Sequence, residues 1–356
     1  MADAGAAGAG RDDPAGRAAA VSCSSSSACL AIAIDAYPHS GDLGTFAETW
    51  NGALWRARAV PNGQNNASLN GVNCRSAHWC MAVGTIEAVP PTGHYVPVAD
   101  RWNGSTWAQA RPPAGATAGS LAAVACPGTR SCTAVGSSSK GHNAPRPLAD
   151  HWNGSAWKTQ RVPAPAGGGS QLAAVACPRA YACRAVGSDS KGLFSEVWNG
   201  SSWVVRPVPV PAGGSFAGLN GISCPAADRC EAVGTYEKGS TFLPLAEAWN
   251  GSRWHLQAPP GVPGEPSAGL DAVSCISATD CEAAGSAGVQ EGPQEVGVLE
   301  KWNGAAWSVQ KKVRPAGDLA ARLNGISCTT GPVCETVGWH EKSVPNSHLL
   351  ALRYSS

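Results

Sequence analysis

The sequence predicts an all-β protein, a seven-bladed β-propeller built from four-stranded repeats of about 50 residues. A pair of cysteines separated by five residues occurs seven times along the 356-residue chain. The sequence Trp-Asn-Gly-x-x-Trp alternates with these pairs and occurs six times. The repeat body contains no amphipathic helical stretch, which excludes the helical repeat arrays of similar period.

The fifth repeat shows how the four strands are assigned. Residues 219–224 and 230–234 form strands one and two, separated by a five-residue turn, and residues 245–249 form strand three after a variable loop. Asn250-Gly251 turns the chain into strand four, at about 254–259. We expect a flexible Ala/Gly-rich segment over residues 1–17 and a single propeller domain over 18–356. Its repeats start near 18, 69, 121, 172, 219, 270 and 323.

The cysteine pairs predict seven local disulfides, because each pair brackets a hairpin turn and places its two residues opposite each other. The predicted bonds join Cys23 with Cys29, Cys74 with Cys80, Cys126 with Cys132, Cys177 with Cys183, Cys224 with Cys230, Cys275 with Cys281 and Cys328 with Cys334. Reduced buried thiols and a metal or redox role are the alternatives. Zinc is disfavoured, since its paired ligands are usually two to four residues apart and no histidine recurs in register.

Disulfides predict an extracellular or cell-surface protein. Residues 1–20 lack the apolar segment of a signal peptide. We therefore expect a truncated or misplaced start, export by another route, or a cytosolic protein with reduced thiols. No apolar run approaches 18 residues, so no membrane span is expected. With a net charge of +1 the chain lacks the basic stripe that nucleic-acid binding requires.

Trp-Asn-Gly-x-x-Trp predicts a hairpin between strands three and four, because Asn-Gly adopts positive φ readily. Two registers are open. A two-residue turn pairs Trp50 with Ala53 and Trp55 with Glu48, whereas a four-residue loop pairs Trp50 with Trp55. An acid stands two places before the first Trp, and we expect it to accept a hydrogen bond from an indole N–H or a turn amide. These acids are Glu48, Asp100, Asp150, Glu196, Glu247 and Glu300.

The seventh repeat lacks a fourth strand. Tyr354 occupies its first Trp position, and the chain ends two residues later. By alignment of the connectors, residues 1–12 occupy the position of the missing strand, but they contain no Trp and no β-branched residue. We therefore predict a frayed or three-stranded last blade.

The repeat resembles uncharacterised repeat proteins of actinobacteria and related high-GC bacteria. Three segments carry the resemblance: Leu-Asn-Gly-(Ile/Val)-Ser-Cys, Cys-x-Ala-Val-Gly and Leu-Ala-Glu-x-Trp-Asn-Gly-Ser-x-Trp. It covers residues 18–356 and implies no activity. More distantly, residues 104–107 are similar to the end of an Asp-box, a structural hairpin of sialidase-like blades. Trp102 replaces the Asp of that motif, so the likeness bears on blade placement alone.

The variable loops between strands two and three are expected to share one face of the propeller with the blade connectors, opposite the cysteine and Trp hairpins. Variable loops on a rigid scaffold commonly carry binding residues. Aromatic rings and imidazoles suit a glycan or a protein ligand. The candidate ligand-binding residues are Tyr37, His94, Tyr95, Tyr236, Trp339 and His340.

No catalytic residue, metal ligand or cofactor site is predicted. A propeller glycosidase needs two carboxylates near the axis, and strand one supplies only Asp271 at a position that elsewhere holds Asn or Ala. His151, beside Asp150, has no counterpart in neighbouring repeats. We expect a monomeric, non-catalytic extracellular binding module for carbohydrate or protein. The alternatives are a propeller hydrolase or lyase acting on polysaccharide, and a surface scaffold without a ligand.

Overall fold

The computed structural model describes residues 16–36, 43–61, 67–88, 95–110, 118–139, 143–288, 294–331, 333–343 and 346–355. These residues form antiparallel strands joined by turns and loops. Among them there is no helix of the length and apolarity needed to cross a membrane.

The strands group into seven sheets, one for each repeat. Their bounds, in chain order, are β1 Arg17–Ser25, β2 Ala28–Ala36, β3 Leu43–Trp50, β4 Trp55–Ala59, β5 Ser68–Ser76, β6 Trp79–Glu87, β7 Tyr95–Trp102, β8 Trp107–Gln109, β9 Ala118–Gly128, β10 Ser131–Ser139, β11 Arg146–Trp152, β12 Trp157–Gln160, β13 Gln171–Arg179, β14 Ala182–Asp189, β15 Gly192–Trp198, β16 Trp203–Pro207, β17 Ser215–Ala226, β18 Arg229–Lys238, β19 Thr241–Trp249, β20 Trp254–Gln257, β21 Ala268–Ser277, β22 Asp280–Ala287, β23 Val296–Trp302, β24 Trp307–Val313, β25 Ala320–Thr329, β26 Val333–Ser343 and β27 Asn346–Ser355. Blades 1 to 6 have four strands in sequence order, and blade 7 has three, β25-β26-β27.

The sheets are arranged in a closed ring. The first strands of successive blades contact one another, β1 with β5, β5 with β9 and so on, and β25 contacts β1. The fold is therefore the seven-bladed β-propeller that the repeats predict. The three-stranded last blade is confirmed, and residues 1–12, which we aligned with its missing strand, lie outside the described residues.

All seven predicted disulfides form, with the paired Cα atoms 4.0–4.1 Å apart. The second cysteine of each pair lies near the start of strand two, and its side chain is buried in the blade. These buried cysteines are Cys29, Cys80, Cys132, Cys183, Cys230, Cys281 and Cys334. Among the described residues no cysteine is free. Because every one of these sulfurs is held in a disulfide, the bonds are structural, which disfavours the metal and redox alternatives.

The Trp hairpin sets the register of strands three and four. Its two tryptophans lie directly opposite each other, which is the four-residue-loop register. In the first hairpin Gly52 takes a φ of 94°, and the Asn51 side-chain oxygen accepts bonds from the backbone N–H groups of Ala53 and Leu54. Asn-Gly is thus used for its turn geometry.

Strand two needs a glycine where the backbone of strand one approaches it closely. At Gly234 a Cβ would overlap the carbonyl oxygen of Gly218 in β17, at a register shift of the first strand. Blades 2 to 7 repeat this contact, whereas blade 1 has Ala33 at that position. The Ala-Val-Gly segment is therefore fixed by packing between strands one and two.

The hydrophobic core lies between blades. In blade 5, Leu245 and Trp249 pack with Trp254 against Val186 and Val208 of blade 4. Alternate residues of the same strand, such as Ala246, face blade 6. Because each blade buries both faces against its neighbours, small residues dominate the strands and permit close sheet-to-sheet contact.

The ring closes with the same side-chain bonds that join the other blades. Asn324 of blade 7 donates to the carbonyl oxygen of Ala18 in blade 1 at 2.7 Å, as Asn220 of blade 5 does to Leu270 of blade 6 at 3.0 Å. The Ser327 hydroxyl accepts from the backbone N–H of Cys23 at 2.9 Å, and this bond also recurs between other blades. Closure therefore uses the repeat's own contacts.

Candidate functional site

The structure describes four of the six predicted ligand-binding residues. Tyr37 and His94 are outside the described residues. Tyr95 begins β7 and is 42% exposed. Tyr236 is half-buried in β18, packed against the core between blades 4 and 5. These two tyrosines therefore belong to different blades, 2 and 5, and do not form one site.

Trp339 and His340 lie in β26 of blade 7 and already have partners. The Trp339 side chain is buried, and the Arg17 guanidinium lies over its ring, 4.4 Å from the centroid. His340 Nδ1 lies 2.6 Å from the Asp318 carboxylate, and its ring centroid is 5.6 Å from that of His348. Trp339 thus stabilises the junction of blades 7 and 1, and His340 holds the connector between blades 6 and 7.

A groove lies on the variable face between blades 2 and 3, and we name it the blade 2–3 groove. Its volume is about 440 Å³. Its lining residues are Thr85, Tyr95, Ala118, Gly119, Ser120, Ser137, Ser138, Ser139 and Pro145. The exposed Tyr95 stands at the start of strand β7, and five serine and threonine side chains also line the groove. The blade 2–3 groove therefore places one aromatic ring beside several hydroxyl groups that can donate or accept hydrogen bonds.

Two carboxylates meet one arginine where blades 6 and 7 adjoin. Arg322 of β25 donates to Asp271 of β21 through Nε at 3.1 Å and Nη2 at 3.0 Å. Its Nη1 lies 3.7 Å from an oxygen of the buried Glu295. Burial raises the pKa of both carboxyls, and the arginine charge opposes that rise. The geometry is that of a buried ion-pair network, in which removing one partner is costly.

The sequence contained a signal for this cluster that we missed. Arg17 and Arg322 occupy the same repeat position, one residue before the apolar residue that starts each first strand. The other repeats have Ser, Gln or Gly there. Glu295 immediately precedes β23, and no other repeat has an acid at that position, so the repeat pattern did not reveal it. No group of three His, Cys, Asp or Glu residues that could hold a metal ion is found among the described residues.

The prediction that the repeated acids accept bonds from indole or turn N–H groups is wrong for Asp100, Glu196, Glu247 and Glu300. All four are buried, and their oxygens have no hydrogen-bond partner among the described residues. Some of the indoles donate instead to the cysteine loops or to the preceding blade, whereas those of Trp107, Trp152, Trp157 and Trp249 have no partner among the described residues. Trp102, for example, donates to the carbonyl oxygen of Ala77.

Burial therefore changes the protonation of these acids. Desolvation raises the pKa of Asp100 to about 7, and of Glu196, Glu247 and Glu300 to about 8. They are neutral over much of the physiological range, since a buried, unpaired carboxylate is costly. Because they recur at successive blade interfaces rather than at one mouth of the ring, they do not constitute an active site.

No protein-family model matches the sequence, and no curated protein matches it. Solved structures do. YCF48 from Cyanidioschyzon merolae is 13% identical, with 96% of this chain and 97% of that chain covered and a TM-score of 0.55. A polysaccharide lyase, the PL25 ulvan lyase bound to -[GlcA(1-4)Rha3S]-, is 10% identical, with 99% and 98% covered and a TM-score of 0.59.

A third similar structure is the GH74 xyloglucanase from Xanthomonas campestris. It is 12% identical, with a TM-score of 0.58, and the match covers 96% of this chain and 55% of that chain. At such identities these likenesses bear on the fold alone. They show that the chain has the β-propeller architecture, which in these proteins is combined with different functions.

Proposed function

We propose that the protein is a non-catalytic extracellular or cell-surface module that binds carbohydrate in the blade 2–3 groove. The observation that carries this proposal is the exposed Tyr95 ring beside a groove lined with serine and threonine hydroxyls. An aromatic ring offers a flat apolar surface to a sugar ring, and hydroxyls supply donors and acceptors to its edge. A volume of about 440 Å³ is within the usual range for small-ligand sites.

The groove's chemistry favours binding over turnover. Apart from the Tyr95 phenol, its lining residues carry no titratable side chain. General acid–base catalysis requires such a group within hydrogen-bond reach of the reacting atom. Seven disulfides support an oxidising, extracellular location. Two of the similar structures are proteins that act on polysaccharides, which supports a glycan as the ligand class.

The test is a glycan array followed by isothermal titration of the best-bound saccharide against matched tyrosine variants. Tyr95→Ala is expected to lose binding about tenfold or more, since it removes the stacking surface. Tyr181→Ala is the control, because Tyr181 is 63% exposed but lies in a cysteine loop on the opposite face. Binding of a peptide but no saccharide, or equal loss in both variants, would contradict the proposal.

A polysaccharide hydrolase or lyase is the second candidate, and the meeting of Asp271 and Glu295 at Arg322 favours it. Two nearby carboxyls are the usual requirement for glycoside hydrolysis. The array saccharides are therefore assayed for cleavage products with the wild type, Asp271→Asn and Glu295→Gln. Cleavage that both substitutions abolish, while the disulfides and far-UV spectrum are retained, would replace the binding function with this one.

A further inference from the structure

A second groove lies between blades 3 and 4, on the side of the Trp hairpins, and we name it the clasp groove. It has a volume of about 650 Å³. Blade 4 contributes Trp198, Ser201, Ser202 and Trp203, and blade 3 contributes His151, Lys158, Thr159, Gln160, Arg161 and Pro163. It lies on the opposite side of the propeller from the blade 2–3 groove, and its function does not depend on that site.

One residue that packs between blades is short beside the groove. The residue after the second cysteine of a blade lies towards the Trp hairpin of the next blade. Leu30 shares a buried cluster with Trp102, and Arg184 lies over Trp249, 3.7 Å from the ring centroid. Blade 3 has Thr133 at this position, and its buried hydroxyl lies 3.5 Å from Cys183 Sγ. Trp198 remains half-buried and lines the groove.

The indoles of Trp198 and Trp203 form the aromatic side of the groove, and contacts from both blades hold them in place. Trp203 donates its indole N–H to the side-chain oxygen of Gln160 at 2.8 Å. The rings of Trp198 and Trp203 pack with their centroids 5.6 Å apart. Because the same Gln-to-Trp bond joins Gln257 to Trp307 at the blade 5–6 interface, it is a structural feature of the repeat and presents the neighbouring indole in a fixed orientation.

The charge of the clasp groove is positive. Lys158 and Arg161 are both exposed, and no carboxylate is among the lining residues. Within the described ranges neither cation forms a salt bridge. An anionic ligand would therefore meet two donors that need not be released from an existing ion pair.

Two other interfaces between blades lack this combination. The blade 1–2 interface has Arg56 and Arg58 on its outer strand, but the Trp102 indole there is buried. The blade 5–6 interface has a half-buried Trp302, but Ala258 stands where blade 3 has Arg161. An accessible indole and exposed cations coincide at the clasp groove.

We propose that the clasp groove binds an acidic saccharide. The sugar ring stacks on Trp198, and its carboxylate or sulfate ester accepts hydrogen bonds from Lys158 and Arg161. Stacking uses the flat apolar face of the ring, and the two cations favour a charged sugar over a neutral one of the same shape. Ser201 and Ser202 on the hairpin turn supply hydroxyls to the ring edge.

The experiment titrates tetragalacturonic acid, its methyl ester and a heparin tetrasaccharide into the full chain by isothermal calorimetry at low salt. The methyl ester keeps the shape of the acid but removes its charge. We expect the acid or the sulfated sugar to bind at least about tenfold more tightly than the ester, and salt to weaken the binding. Equal affinity for acid and ester, or no binding of either anionic sugar at about 1 mM, would overturn the proposal.

Variants locate the site. Lys158→Ala/Arg161→Ala is a surface change and should weaken binding about tenfold or more. Trp302→Ala is the matched control for Trp198→Ala, because it removes a half-buried indole from the same repeat position, where blade 5 has His255 and Ala258 in place of Lys158 and Arg161. Binding lost equally in the two Trp variants would place the ligand elsewhere.

The same titrations distinguish this site from the proposed carbohydrate site on the other face. Tyr95→Ala is expected to leave the affinity for tetragalacturonic acid or the heparin tetrasaccharide unchanged. If it abolishes that binding while Lys158→Ala/Arg161→Ala does not, the acidic sugar occupies the blade 2–3 groove, and the clasp-groove proposal fails while the proposed function stands.

Discussion

The buried acids of the Trp hairpins should make the propeller less stable as the pH rises. Glu247→Gln isolates one such group, since glutamine resembles the neutral acid in size and cannot ionise. The Glu247 carboxyl is fully buried, and burial, together with the nearby Glu231 charge, raises its pKa to about 8 from 4.5. Between pH 4.5 and about 8, the folded protein therefore keeps the carboxyl proton of Glu247, whereas the unfolded chain has released it.

The sign and size follow from proton linkage. Stabilisation by the neutral carboxyl is fully present below the unfolded pKa and is lost as the pH rises towards the folded pKa. With pKa values of 4.5 and about 8, the loss between pH 5 and pH 8 is about 3 kcal/mol for this one group. Glu247→Gln should reduce the fall in unfolding free energy over that interval by the same amount.

Urea unfolding followed by tryptophan fluorescence at pH 5 and pH 8, with the disulfides intact, measures both free energies. Glu237→Gln is the control in the same blade, because the Glu237 carboxylate bonds to the Ser215 hydroxyl in an exposed position. If Glu247→Gln and the wild type lose the same free energy between the two pH values, the carboxyl is already ionised in the folded state and the reasoning is refuted.

Four further variants test the repeat's own contacts by urea unfolding. Replacing both Cys224 and Cys230 with Ser should cost about 2 kcal/mol, the chain entropy of a short closed loop, and no loss would show that this disulfide constrains nothing in the unfolded chain. Asn324→Ala and Asn220→Ala should each cost about 1 kcal/mol. A much larger cost for Asn324→Ala would mean that ring closure depends on it more than the other junctions do. Gly234→Ala should cost about 3 kcal/mol or more, because its Cβ overlaps a carbonyl oxygen of β17, and a neutral effect would show that the strands can separate locally.

The features that recur in the sequence were predictable, and those that join different blades were not. A disulfide and a cross-strand Trp pair fix contacts between residues five or six positions apart, so the hairpins, the blade count and the short last blade followed from local spacing. Even so, the choice between the two Trp registers could be made only from the structure. The opposed pairing of Trp50 and Trp55 depends on the whole hairpin rather than on Asn-Gly alone.

The candidate sites depend on how neighbouring blades are rotated against each other. Arg322 meets Glu295 across the boundary of blades 6 and 7, and Trp198 lines one groove with Lys158 and Arg161 across the boundary of blades 3 and 4. Neither contact can be predicted from the sequence of a single repeat. Of the predicted ligand-binding residues, Tyr95 is exposed, whereas Trp339 is buried under Arg17. The repeat pattern thus predicts where an aromatic residue lies in a blade, but whether its ring is buried can be read only from the structure.

The bonds between blades 7 and 1 have a consequence for how the ring is held together. The polypeptide crosses six of the seven junctions, but the seventh carries the same asparagine-to-carbonyl and serine-to-amide bonds without any covalent link between its blades. Chain connectivity and ring geometry are therefore separable. A chain rejoined from residue 355 to residue 16 and opened in another connector would present the same seven junctions, so the order of the blades along the polypeptide is arbitrary with respect to the ring.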